Sequence, residues 1–279
     1  MKKKKLPKNI TCVTICALII GILTLICASG QIAYEVADTF ECWRPNYEKV
    51  DLNPVLDKAQ LDDEDYALLY KQTGLTKSGV DRALANGTAG KRRILYIQDD
   101  YFAKYTVKHK KFAPYICFCE IDGRVQNIYL EKGDVVVSAS TQLIGWRMGH
   151  SGLVTDGERV IQAAAIGTVS AIGKIDDFTD SVAFMVLSPK VDKEIKQQVV
   201  DYATDSLVGI SYDPFRGIFS SKNKINTTQC AHLVWYAYNH FGIDIDGNGG
   251  GLVTPQDFAN SPEMEVVQVF GFNPKELWK

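Results

Sequence analysis

Apolar positions fall into three rhythms along the chain. Residues 10–26 form an almost unbroken apolar run behind five lysines, Lys2 to Lys5 and Lys8. Within "NPVLDKAQLDDEDYALLYKQTGLTKSGVDRALANG" (53–87), Leu61, Tyr66, Leu69 and Tyr70 follow helical spacing, and Asn86-Gly87 closes the segment. "YICFCEI" (115–121) reads as a strand. From about residue 126 the apolar runs shorten. "GDVVVSAS" (133–140) predicts a strand after a turn, "HSGLVTDGERVIQAAAIG" (150–167) two short strands around Asp156-Gly157, and "SVAFMVLS" (181–188) another strand. "VDKEIKQQVVDYATDSLVG" (191–209) predicts an amphipathic helix with Ile195, Val199, Tyr202 and Leu207 on or near one stripe. An apolar helix follows a loop and begins near Cys230, with Gly242 suited to its C-cap.

These rhythms predict an α+β fold in which a small antiparallel sheet packs against helices, with an N-terminal helical extension. Three stretches follow: 1–30, 31–126 and 127–279. The first joins a basic start, an apolar run and the small-residue pattern Ala28-Ser29-Gly30, as a cleavable signal peptide or a retained membrane anchor does. Either reading predicts an exported chain, extracellular or anchored to the outer face of the cell membrane. Without residues 1–30 the chain holds 26 basic and 33 acidic residues, a net charge of −7. That argues against electrostatic adhesion to an anionic membrane. No long basic or low-complexity tract lies beyond the extreme N-terminus, so nucleic acid is not an expected partner.

Beyond residue 30 stand four cysteines, Cys42, Cys117, Cys119 and Cys230, too few for a disulfide framework in about 250 residues. Cys117 and Cys119 lack a second pair at zinc spacing, and "DIDGNGGG" (244–251) has Pro255 where a calcium loop needs a bidentate glutamate. No metal and no cofactor are expected.

Cys230 in "INTTQCAHLVWYAY" is by itself a small hydrophobe in an apolar helix. Thr227 or Thr228 can cap that helix, which places the thiol in the first turn. There the helix dipole lowers a thiol pKa, and free N–H groups can stabilise an oxyanion. A nucleophilic thiol also needs an imidazole and a polar group to orient it. Of four histidines, His232 projects to another side of the helix, His240 lies nearly three turns on, and His109 among lysines in "VKHKK" reads as solvated. His150, in "WRMGHSGLV", is the candidate base. Gln162, the polar position in "VIQAA", is the candidate orienting group. A three-residue loop over Thr155–Gly157 sets His150 opposite Gln162, whereas a two-residue Asp-Gly turn would put Gln162 on the other face.

The segments "GDVVVSAS…GWRMGHSGLV…VIQAAAIGT", "TTQCAHLVWYAY" and "LVTPQDFANSPEMEVVQV" together resemble the circularly permuted, papain-like NlpC/P60 superfamily, in particular its YiiX/YaeF-like amidase group. The likeness covers residues 127–279, and the histidine strand precedes the cysteine helix as in that group. The resemblance implies a catalytic domain with a Cys230–His150–Gln162 centre that cleaves an amide or acyl bond through a thioester. The group's third residue is often glutamate, and a neutral Gln162 stabilises imidazolium less than a carboxylate does. Tyr212, in "ISYDPF", falls where the group often has a site-wall tyrosine, and Trp146 is the other candidate wall residue.

The function this predicts is an exported cysteine amidase or peptidase acting on peptide or lipid-amide substrates, with cell-wall peptidoglycan the one suggested by export. Two other classes share the expectation: a catalytically silent peptide- or lipid-binding module, and a lipid acyl hydrolase or acyltransferase of the same fold.

Overall fold

A computed structural model describes residues 8–37, 42–113, 116–143, 146–147, 149–273 and 278. The elements in chain order are α1 (Lys8–Ala37), α2 (Asn53–Leu56), α3 (Asp63–Thr73), α4 (Lys77–Leu84), α5 (Gly87–Phe102), β1 (Val107–Ala113), β2 (Ile116–Ile121), β3 (Val135–Ser138), β4 (Thr141–Leu143), β5 (Trp146–Arg147), β6 (His150–Val154), β7 (Arg159–Gln162) and β8 (Ala171–Lys174). They continue with α6 (Asp176–Thr179), β9 (Phe184–Pro189), α7 (Lys193–Ser206), α8 (Cys230–Asn239), α9 (Pro255–Ala259) and β10 (Met264–Phe270). The chain is α+β. Its main sheet is antiparallel and six-stranded, in the order β10-β9-β3-β6-β7-β8, and a smaller sheet runs β1-β2-β4-β5.

The apolar runs of the sequence become the centre of the main sheet. β3 and β9 are buried at every position, because helices or loops cover both faces and no alternation is needed. α8 lies across β6 and β7, α9 against β3, β9 and β10, and α4 against β10. The helical N-terminal region is sewn to the sheet edge. Val269 N–H donates to the Gly74 carbonyl (2.9 Å), and Thr76 N–H donates to that of Val267 (3.0 Å). Asn86-Gly87 does not end the helical segment but turns α4 into α5, a sixteen-residue helix.

One buried ion cluster fastens these layers. Asp134, fully buried just before β3, accepts from Arg82 of α4 (3.2 Å), from Lys196 of α7 (3.1 Å) and from the Glu131 N–H (2.8 Å). Arg82 also reaches Glu265 of β10 at 2.9 Å. A buried carboxylate is tolerated here because each oxygen meets a donor.

Residues 13–28 of α1, 16 residues or about 24 Å of helix, are all exposed. Among the described residues no helix is long and apolar enough to cross a membrane.

Candidate active site

β6 and β7 form the predicted hairpin, but its register differs from expectation. Leu153 pairs with Ile161 and Val154 with Val160, so Gln162 faces Gly152 and lies diagonally from His150. The loop has three residues, yet it is Asp156–Glu158 and not Thr155–Gly157: Thr155 N–H donates to the Arg159 carbonyl (2.9 Å). The cause is Asp156, whose carboxylate accepts from the N–H groups of Glu158 and Arg159, both at 2.9 Å, and shifts the turn by one residue. The shift in pairing is even, so His150 and Gln162 keep one face. Long side chains on a diagonal are still within reach. The His150 Nε2 to Gln162 Oε1 distance is 2.6 Å.

Gln162 does not stand alone. Its Nε2 donates to the Asp177 carboxylate in α6. A carboxylate only accepts, so the amide nitrogen must face Asp177 and the amide oxygen must face His150. Nε2 of His150 therefore carries the proton, and Nδ1 is left for the thiol. Two glycines make room. A Cβ on Gly173 would lie 2.3 Å from Gln162 Nε2 and 3.1 Å from Asp177 Oδ2. Gly149, just before the histidine, holds φ +70°, and a Cβ there would meet the Ser138 carbonyl at 2.4 Å and the Trp278 ring at 2.2 Å. Phe178, fully buried, stacks on His150 at 5.0 Å between centroids and 12° between planes, which fixes the ring.

Cys230 is the first residue of α8. The cap is not Thr227 or Thr228 but Gln229, whose Oε1 accepts from Ala231 N–H at 2.8 Å. Thr228 is instead tied into the loop, with its hydroxyl 2.8 Å from His232 Nδ1 and its N–H donating to the Ser211 carbonyl (3.0 Å). Gln229 Nε2 donates to the Val253 carbonyl (2.6 Å), which locks the capping side chain. The Cys230 N–H belongs to the first turn, where a helix supplies no acceptor.

Cys230 and His150 lie near enough to interact electrostatically, and the Cys230 thiol donates to Gln229 Oε1 at 3.4 Å. Burial alone would raise the thiol pKa. His150 and its positive charge oppose that, as do the N–H and hydroxyl of Ser151, and the thiol falls below its ordinary value. Burial also works against a charged His150, yet Cys230, Gln162 and the charge of Asp177 outweigh it and raise the imidazole. The two shifts run towards each other and favour a thiolate–imidazolium pair. The Ser151 hydroxyl is buried and has no hydrogen-bond partner among the described residues.

Tyr212 lies beside this pair. A bridge to Thr228 and its N–H to the Thr168 carbonyl (3.0 Å) hold its backbone, and burial followed by the charge of Cys230 pushes its phenol upward. The backbone of Trp146 pairs with Leu143 in β5, while its side chain lies outside the described residues.

His232 is buried, contacts Thr228, and joins the Lys222 carbonyl through Nε2 at 2.7 Å; burial lowers it to about 4. His240 stacks on Tyr202 at 3.8 Å. His109 is not solvated as its lysine neighbours suggested: cross-strand pairing sets its Nδ1 3.4 Å from Cys119 Sγ, half-buried. Cys42, Cys119 and Cys230 are free thiols. Asp244 and Asp246 bind Trp235 Nε1 (2.8 Å) and Lys222 (2.7 Å), and among the described residues no group of three acidic, cysteine or histidine side chains could hold a metal.

Asp177, Ser151 and Gln229 are the members that spacing did not reveal. The acidic pair Asp176-Asp177 beside Phe178 in "GKIDDFTD" is a signal that could have pointed to Asp177. No family model, curated protein or solved structure matches the chain.

Proposed function

We propose that the protein is a cysteine hydrolase that cleaves an amide or acyl bond through a thioester on Cys230. The observation that carries this reading is the thiol at the first residue of α8, a helix packed on β6; the thiol interacts electrostatically with His150, whose Nε2 is held by Gln162 at 2.6 Å. A cysteine that only filled space would be driven up by burial, as Cys42 is, to about 11. Cys230 is shifted the other way.

In the proposed reaction the Cys230 thiolate attacks the carbonyl carbon, and the Cys230 N–H donates to the oxyanion. His150 protonates the leaving group, then takes a proton from the water that hydrolyses the thioester. Gln162 keeps the proton on Nε2, and Asp177 supplies, one step removed, the negative charge that a glutamine lacks. Ser151 steadies the thiolate. The order of histidine strand before cysteine helix, the antiparallel sheet and the helix packed on it support membership of the permuted papain-like NlpC/P60 class. The basic and apolar pattern of residues 1–30 supports export, with the protein acting outside the cell or anchored at its membrane.

The test is to offer the purified full-length protein muropeptides and lipid amides and follow Cys230 by intact mass. An acyl adduct or turnover present in the parent and absent in Cys230→Ala supports the reading. Absence of both, with every substrate, sinks it in favour of a binding module.

A further inference from the structure

Residues 213–227 form a loop whose ends are pinned together just before Cys230. Asp213 N–H donates to the Thr228 carbonyl (2.7 Å), Tyr212 bridges Thr228, and the Thr227 hydroxyl donates to the Asp213 carboxylate (3.0 Å). A loop of this kind is ordinarily held down by apolar side chains. This one has a single buried residue, and it is Arg216, 2% exposed.

The guanidinium is only half used. Nη1 donates to the hydroxyls of Ser220 (3.2 Å) and Thr227 (3.4 Å), while Nε and Nη2 are buried without a hydrogen-bond partner among the described residues. Asp213, the carboxylate nearest in sequence, is taken up by the Thr227 hydroxyl and the Phe215 N–H, both at 3.0 Å. A buried cation with no counter-charge is strongly disfavoured. Nε and Nη2 form the edge of the fork that meets two oxygens of one carboxylate or phosphate through parallel hydrogen bonds. Lys222, which with Arg216 acts on His232, is committed to Asp246 at 2.7 Å. The one uncommitted positive charge therefore matches a carboxylate, not a phosphate with its nearly double charge.

The position is next to the candidate nucleophile. Thr227, which Arg216 holds, is three residues before Cys230, a stretch of chain that spans at most about 11 Å. Tyr212, at the neck of the loop, feels the charge of Cys230, and His232, in the first turn of α8, feels that of Arg216.

We propose that Arg216 is a carboxylate receptor, and that the carboxylate belongs to the substrate whose acyl bond Cys230 attacks. The second half rests on the hydrolase reading; the first stands without it.

Two measurements on the full-length protein test it. In the first, the thermal midpoint is followed at neutral pH as acetate replaces chloride at constant ionic strength. Acetate in hundredfold excess over its Kd multiplies the folded-to-unfolded ratio about 100-fold, so the parent midpoint rises while that of Arg216→Met stays level. In chloride Arg216→Met melts no lower than the parent, because an unpaired buried charge is gone. Arg216→Lys keeps the charge without the fork; it gives a weaker rise and replaces Arg216→Met if that variant does not fold. A parent midpoint indifferent to acetate, or an equal rise in the variants, overturns the proposal.

In the second, 4-acetoxybenzoate is compared with 4-acetoxybenzamide, with the Cys230→Ala rate subtracted. Both donate the same acetyl group, and their leaving phenols differ only in carboxylate against carboxamide. The ratio of kcat/KM, benzoate over benzamide, is expected to fall at least ~10-fold in Arg216→Met. An unchanged ratio overturns the substrate assignment and leaves Arg216 holding a free carboxylate. If neither ester acylates Cys230, the hydrolase reading falls and the substrate assignment with it, while the acetate measurement still decides the receptor.

Discussion

Two polar clusters mark the two ends of β3. At its start Asp134 meets Arg82 and Lys196; at its end Ser138 pairs with His150, and beyond it lie Cys230, Gln162 and Asp177. The first is buried around Asp134; in the second Cys230 and Gln162 are buried, His150 is half-buried and Asp177 is exposed. They differ in how their charges are matched. Asp134 faces two cationic side chains and a backbone N–H. Cys230 and His150 each favour the other's charged form, helped by Ser151 on one side and by Gln162 and Asp177 on the other. Opposite charges fixed on both sides make a fastening; two titratable groups that share a proton make a reactive centre.

The comparison is broken most directly at the nucleophile. Cys230→Ala is expected to abolish acylation, a fall of more than ~1,000-fold, with little change in thermal stability, because one sulfur is lost from an already packed site. His150→Ala is expected to act in the same direction on thiol reactivity. Asp134→Ala should do the reverse. Leaving Lys196 buried without its carboxylate costs about 3–5 kcal/mol, read as a lowered urea midpoint, while the pH dependence of Cys230 in the remaining folded protein stays put.

A smaller effect is expected at the orienting residues. Asp177→Asn should lower kcat/KM by about 10–100-fold and move the His150 limb of the pH profile downward, since the charge that raises the imidazole is gone. Gln162→Glu alone sets two carboxylates side by side; combined with Asp177→Asn it restores one carboxylate, now directly on His150, and should recover activity. A double variant no better than Asp177→Asn would show that Asp177 only packs. Smallest is Gly173→Ala. Its Cβ crowds Gln162 Nε2 and loosens the amide, and a several-fold loss of rate is expected with a drop of about 1–3 kcal/mol in stability.

Much of this arrangement was legible from the chain. β3, β6, β7, β9, α7 and α8 fall on the stretches whose apolar rhythm predicted them, and Cys230, His150 and Gln162 are brought together. What was not legible depended on single side chains acting outside the rhythm. Asp156 moved the hairpin turn by one residue through its own hydrogen bonds, and no apolar pattern encodes that. β8 and α6 are four residues each, too short for periodicity, yet they carry Gly173 and Asp177. Gln229 outcompeted two threonines as the cap because its longer amide also reaches Val253. His109 looked solvated because its neighbours are lysines, whereas cross-strand pairing, not neighbourhood, set it against Cys119.

The central claim is that His150 holds the Cys230 thiol below its ordinary pKa. It is tested by following iodoacetamide labelling of Cys230 across pH by peptide mass mapping, in the parent and in His150→Ala. Mapping separates it from exposed Cys16 and Cys27, and Cys42, pushed up to about 11 by burial, stays silent near neutrality. The account predicts labelling at neutral pH with an apparent pKa clearly below about 8.5, moved upward in His150→Ala because desolvation then acts unopposed. A Cys230 that titrates at or above the ordinary thiol value, with no change in His150→Ala, would contradict it.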